Sequence, residues 1–311
     1  MRLRVAHSSR VTVRVALVGT LMVALGVGLA RAEPPKNPWG SVRTPTPGPS
    51  FAIGDYSGGC VGGARALPLD GAGYQVMHPS RLRYFGHQAL VDFVRDLGGA
   101  FAKRKLGVLL IGDLSQPRGG RALGGHASHQ SGLDVDIWFW HPKRAERGAL
   151  SAGERESLKA RTILDGEHGA IQEAWKAKVA GALELAAADA RVERVFVHPW
   201  IKRELCAVPS PPAWLRKIRP WYGHDDHFHV RLACPADSAG CAPQEAVPAG
   251  DGCDELDYWL SDEARAEREK GRKQYLAKVG RRPAALSACD ALLAAPEAVP
   301  SVPSATTRAE R

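Results

Sequence analysis

Six cysteines, Cys60, Cys206, Cys234, Cys241, Cys253 and Cys289, constrain this 311-residue chain more than any other feature. An even number in one chain is what a disulfide framework or a metal site gives. No C-x-x-C pair occurs among them, which disfavours a structural zinc site. Disulfides persist only in an oxidising compartment, so the reading turns on whether the chain is exported.

The N-terminus supplies the expected export signal. Arg2, Arg4, Arg10 and Arg14 precede an uncharged run, Ala16 to Ala30, that ends in Ala30-Arg31-Ala32 and then Glu33-Pro34-Pro35. A basic region, an apolar region and a small-x-small cleavage pattern form a signal peptide over residues 1–32, cut after Ala32. The alternative is an uncleaved anchor, but the apolar run falls short of the roughly 20 residues that span a bilayer comfortably. No Cys stands at the cleavage point to make a lipoprotein, and no later run is long enough to cross a membrane. All six cysteines lie in the exported part, so disulfides are expected for them.

Export also changes the meaning of charge. The whole chain carries a formal +9, which by itself points to nucleic acid or an anionic surface. Residues 1–32 hold five arginines and no acid, so their removal leaves +4 and withdraws most of the support for nucleic acid.

Apolar residues at 44% and charged residues at 24% are globular values, which exclude collagen-like, coiled-coil and wholly disordered chains. Residues 33–50 hold six prolines and read as an exposed linker, and residues 291–311 as a disordered tail. One domain over residues 51–290 remains. Within it, Leu90, Val91, Val94 and Leu97 define the apolar face of a helix over 87–104 that has Gly98-Gly99 near its end. Residues 168–191 read as a second helix, and 106–111, 133–140, 194–198 and 227–232 as strands. Helices and strands interleave without a βαβ rhythm. The expectation is an α+β fold with an antiparallel central sheet, surrounding helices and long disulfide-braced loops.

Five of the eleven histidines fall in two short segments, His126 and His129 in GHASHQSGLDVD and His224, His227 and His229 in GHDDHFH. His129 sits in a Gly-flanked loop before the strand that carries Asp136, and alternation puts His227 and His229 on one face of another strand. If the two strands are neighbours, imidazoles and a carboxylate converge on one cation. Zinc takes such nitrogen and oxygen ligands and leaves a fourth position for a water whose pKa drops to about 7. The surplus histidines are then available as a general base or as donors to an oxyanion. The competing reading is of loop histidines hydrogen-bonded to Asp134, Asp225 and Asp226.

The runs GGHASHQSGLDVDIW (124–138), RVFVHPWIKRELC (194–206) and LRKIRPWYGHDDHFHVRLACP (215–235), with 53–87 upstream, closely resemble the penicillin-insensitive murein endopeptidases. This is a group of secreted zinc peptidases that also holds lysostaphin-type enzymes and D-alanyl-D-alanine carboxypeptidases. The resemblance implies that His129, Asp136 and His229 hold Zn2+, that His227 is the base, and that His126 and His224 are further active-site histidines. It implies pairing of Cys60 with Cys289, Cys206 with Cys253 and Cys234 with Cys241. It also implies a periplasmic enzyme that cuts the bond between D-alanine and meso-diaminopimelate in peptidoglycan cross-links. Arg118, Arg121, Arg219 and Arg231 are candidates to receive substrate carboxylates, against the alternative of solvated surface charges. The acidic pair Asp225-Asp226 departs from the family pattern and can alter the charge around the metal. Rival functions are a zinc D,D-carboxypeptidase that releases terminal D-alanine and a non-catalytic wall-binding module.

Overall fold

A computed structural model describes residues 37–122, 127–166, 169, 171–278 and 287–297, with only the backbone over 275–278. The expected signal peptide and His126 lie outside the described residues.

Seven strands build the principal sheet: β1 Asp70–Gly71, β2 Tyr74–Val76, β3 Leu109–Ile111, β4 Asp134–Trp138, β5 Val192–Val197, β6 Ile218–Pro220 and β7 His227–Leu232. Their spatial order is β6-β5-β7-β4-β3-β2-β1. The four middle strands β5, β7, β4 and β3 pair antiparallel, whereas β6 with β5 and β2 with β3 run parallel. With its flanking helices this is an α+β architecture, and the antiparallel expectation holds for the middle of a sheet that is mixed at its flanks. Among the described residues no helix is long and apolar enough to cross a membrane.

Helices cover one face of the sheet. The first, α1 Gln88–Lys103, buries Leu90, Val91, Val94 and Leu97 as its spacing predicts, together with Phe93 and Phe101. His87 caps it, with Nδ1 accepting from the Ala89 amide at 3.1 Å. The helix runs through Gly98, where a Cβ would lie 2.6 Å from the Ala72 carbonyl oxygen of the β1–β2 turn. Gly98 therefore marks a close approach of backbone to helix. The second, α2 Glu173–Ala188, buries Val179, Ala182, Leu183, Ala186 and Ala187 in the same core. Val135 and Ile137 of β4 and Phe228 and Val230 of β7 meet these helices. Strand alternation then turns Asp134, Asp136, His227 and His229 to the opposite face.

The disulfides are Cys60–Cys289, Cys206–Cys253 and Cys234–Cys241. Of the expected linker and tail, the described residues 37–50 and 291–297 pack against the domain. Trp39 and Val42 are buried, and Trp39 packs with the Cys60–Cys289 bridge and with Leu292 and Leu293 of α4 Ser287–Ala294. Thr46 accepts from the Gly63 amide and Ser50 donates to the Gly63 carbonyl. Pro38 opens a short helix, Pro38–Ser41, and the irregular backbone that follows still lets Val42 find a core.

Arg118 fastens both segments. Its side chain is buried and donates to the carbonyls of Thr44, Leu292, Leu293, Ala295 and Pro296. Those bonds satisfy carbonyls at the end of α4. Arg118 is thus neither a substrate-facing group nor a solvated charge.

Candidate metal centre and active site

Adjacency of β4 and β7 brings the two histidine-bearing segments together. Their register places His229 opposite Asp136, Arg231 opposite Asp134 and His227 opposite Trp138. His129 approaches from the loop before β4, in a left-handed conformation at φ 68° that is rare for a residue with a side chain. Asp134 stabilises that turn by accepting from the His129 amide at 3.2 Å.

Three side chains converge there. His129, Asp136 and His229 each present a ligand atom within 4.8 Å of the other two, and all three are buried. His129 Nε2 lies 3.3 Å from Asp136 Oδ2, and His229 Nδ1 lies 3.0 Å from Asp136 Oδ1. Asp134 stands behind this set. Its Oδ1 accepts from His229 Nε2 at 2.7 Å and from Arg231 Nε at 2.6 Å.

Electrostatics favour a positive charge at the centre. Burial disfavours ionisation of Asp136, yet the His129 and His227 imidazoles beside it hold its carboxyl well below the usual carboxylate range. Burial likewise opposes a charge on His129, but the Asp136 carboxylate outweighs it and raises that ring to about 9. A divalent cation answers the same demand, and two imidazole nitrogens with one carboxylate oxygen are a donor set that suits zinc.

His227 lies at the edge of this centre. Its Nε2 is 3.6 Å from Asp136 Oδ1, and its Nδ1 lies 2.5 Å from Asp226 Oδ1. Burial lowers the basicity of His227, and Asp136 and Asp226 more than restore it. His224 completes the wall, with ring centroids 4.9 Å from His227 and 5.8 Å from His229. Its Nδ1 contacts the carbonyls of Trp221 and Tyr222, which assigns the proton to Nδ1 and leaves Nε2 as an acceptor. Burial, reinforced by His227 and His229, pulls its pKa down to about 3.

The two acids of the Asp225-Asp226 pair have separate places. Asp226 orients His227, whereas the Asp225 carbonyl accepts from the Ile163 amide. His198, which the sequence reading passed over, donates its amide to the His224 carbonyl at 2.8 Å and so fixes the loop that carries His224. Of the candidate arginines, Arg219 and Arg231 line a cleft beside His224 and His229, and so does Arg194, which was not singled out. Arg194 and Phe196 share a face in RVFVH, and that alternation was its available signal. Arg121 lies outside the cleft lining, and its carbonyl accepts from Asn37 Nδ2.

Comparison with known proteins agrees with this geometry. The sequence profile of the penicillin-insensitive murein endopeptidases matches residues 52–294. A protein of that name from Yersinia enterocolitica is 45% identical over 229 residues, covering 72% of this chain and 81% of the relative. Those of Salmonella paratyphi C and Escherichia coli O17:K52:H18 are 44% and 43% identical over 244 residues, covering 78% of this chain and 88% of each relative. The class defined by fold, site and these matches is that of a peptidase. The chain belongs to the family of penicillin-insensitive murein endopeptidases.

Proposed function

We propose that the protein is a periplasmic zinc endopeptidase that hydrolyses D-alanyl–meso-diaminopimelate cross-links in peptidoglycan. The observation that carries this reading is the convergence of His129, Asp136 and His229 in one buried set, with His229 also lining an open cleft. In this reading the three hold the zinc, which when bound supplies a Lewis acid that polarises a carbonyl and acidifies a water.

His227 acts as the general base, taking a proton at Nε2 from the water that attacks the D-alanyl carbonyl. Asp226 accepts the proton on Nδ1, which orients the ring and stabilises its charged form. As the C–N bond breaks, His227 returns that proton to the leaving nitrogen, giving a carboxylic acid and an amine that exchange a proton to carboxylate and ammonium. His224 stays neutral and orients groups beside the reacting carbonyl, and His126 serves as a further active-site histidine. No serine or cysteine nucleophile takes part, so β-lactams, which acylate a serine, are expected not to inhibit. Residues 1–32 act as the export signal, and three disulfides fit an oxidising destination.

The test is digestion of purified sacculi before and after chelation, with zinc then restored, and with His227→Ala alongside. Zinc-dependent loss of dimeric muropeptides supports the reading. Release of terminal D-alanine alone, from uncross-linked pentapeptide, points to a carboxypeptidase. Binding to sacculi without any cleavage points to a wall-binding module.

A further inference from the structure

The centre opens onto a cleft of about 320 Å3 that runs from His224 and His229 past Trp221 and Trp259 to Arg194, Arg219 and Arg231. That volume falls within the roughly 300–1,000 Å3 of small-ligand sites. Three guanidinium groups lining one cleft repel each other unless anions balance them.

All three have an acidic neighbour, but two are held closely by side-chain hydrogen bonds. Arg231 donates Nε to Asp134 at 2.6 Å and Nη1 to Gln244 at 2.8 Å, while its guanidinium lies over the Tyr56 ring. Arg219 donates to both oxygens of Glu255. Arg194 is different. Its ion pair with Glu193 is looser, at 3.5 Å, its Nη2 is spent on the Glu245 carbonyl, and among the described residues its buried Nε has no hydrogen-bond partner. Arg194 also stands directly across from Arg231 in the β5–β7 pairing, where like charges oppose each other. A buried donor left over beside a like charge is unfavourable in the free protein. An anion in the cleft relieves both.

We propose that the cleft is a carboxylate-recognising subsite in which Arg194 receives a free carboxylate of the wall peptide next to the bond that is cut. This rests on the endopeptidase reading above. In a D-alanyl–meso-diaminopimelate cross-link the carbon that bears the leaving amine also bears a carboxylate. A substrate with its scissile amide at His227 therefore carries an anion into the adjoining cleft. The planar guanidinium fits such a group in a way an ammonium does not.

The test compares two synthetic cross-linked dimers, one with the free carboxylate at that carbon and one with a carboxamide, using the zinc-loaded protein. The wild type is expected to prefer the acid by about tenfold or more in kcat/KM, the scale of one charge-assisted hydrogen bond, expressed mainly in KM. Arg194→Gln is expected to bring that ratio close to one, and Arg194→Lys to restore part of it. Thermal melts establish that each variant folds, and if Arg194→Gln does not, a reduced ratio in Arg194→Lys serves in its place. Equal cleavage of both dimers by the wild type, or an undiminished preference in a folded Arg194 variant, overturns the proposal while leaving the endopeptidase reading standing. No cleavage of either dimer overturns the endopeptidase reading itself.

Discussion

His229 gives Nε2 to Asp134 at 2.7 Å and turns Nδ1 toward Asp136 at 3.0 Å. A buried carboxylate behind the ring places the proton on Nε2, and Nδ1 then has a lone pair for a cation. Asp134 is itself fully buried, and Arg231 supplies the charge that lets it remain ionised there. Asp134→Asn keeps the shape but removes the carboxylate that holds the His229 ring through its Nε2 proton. The expected outcome is zinc affinity lower by about 10–100-fold, measured by competition with a chromophoric chelator.

Zinc should also act on stability. Where a cation binds the folded protein and not the unfolded one, free zinc at a thousand times Kd adds about 4 kcal/mol. Melting of the chelator-stripped protein is therefore expected to move to higher temperature as zinc is added, saturating once the site is full. Asp136→Asn should abolish the rise. A melting temperature indifferent to zinc in the wild type would mean that the three side chains do not hold it.

How much was legible beforehand differs from residue to residue. The alternation of HFHVRL and DVDIW fixed which side chains share a face, because a strand has a period of two whatever its neighbours are. What no periodicity reports is which strands adjoin, and the pairing of His229 with Asp136 depends on that. Proline content misled over residues 37–50. Composition registers the stiffness of residues 37–50, but the burial of Trp39 depends on Cys289 and Leu292, which lie some 250 positions away. Arg118 was misjudged for the same reason, since its carbonyl partners come from distant segments. Asp226 was legible as one of an acidic pair near the metal, but its bond to His227 Nδ1 was not, and Arg194 was missed because its place depends on a cleft that no motif reports.

His198 gives a pH dependence of stability with a definite sign. Burial pulls its pKa down from 6.5 to about 4, with Asp225 opposing and Arg268 assisting. Its Nδ1 accepts from the Trp200 amide and caps helix α3, Pro199–Cys206, which requires the neutral ring. Between pH 6.5 and about 4 the unfolded chain takes up a proton that the folded chain refuses, so stability falls as pH drops through that window. Urea unfolding at a series of pH values measures the slope. His198→Asn, which retains a capping acceptor but does not titrate, is expected to flatten part of it.

Arg118 separates architecture from substrate binding. Its guanidinium bonds to carbonyls of segments on both sides of the domain, and Arg118→Met would leave those carbonyls without their donor. Bonds from a charged donor are worth about 1.5–3 kcal/mol each, so a loss of at least about 3 kcal/mol in urea unfolding is expected. Arg118→Lys should recover little, because a single ammonium cannot reach the spread of acceptors that the planar fork spans. KM for a cross-linked muropeptide should stay at the wild-type value in whatever fraction of Arg118→Met folds. A raised KM with unchanged stability would return Arg118 to the substrate-binding role first considered for it.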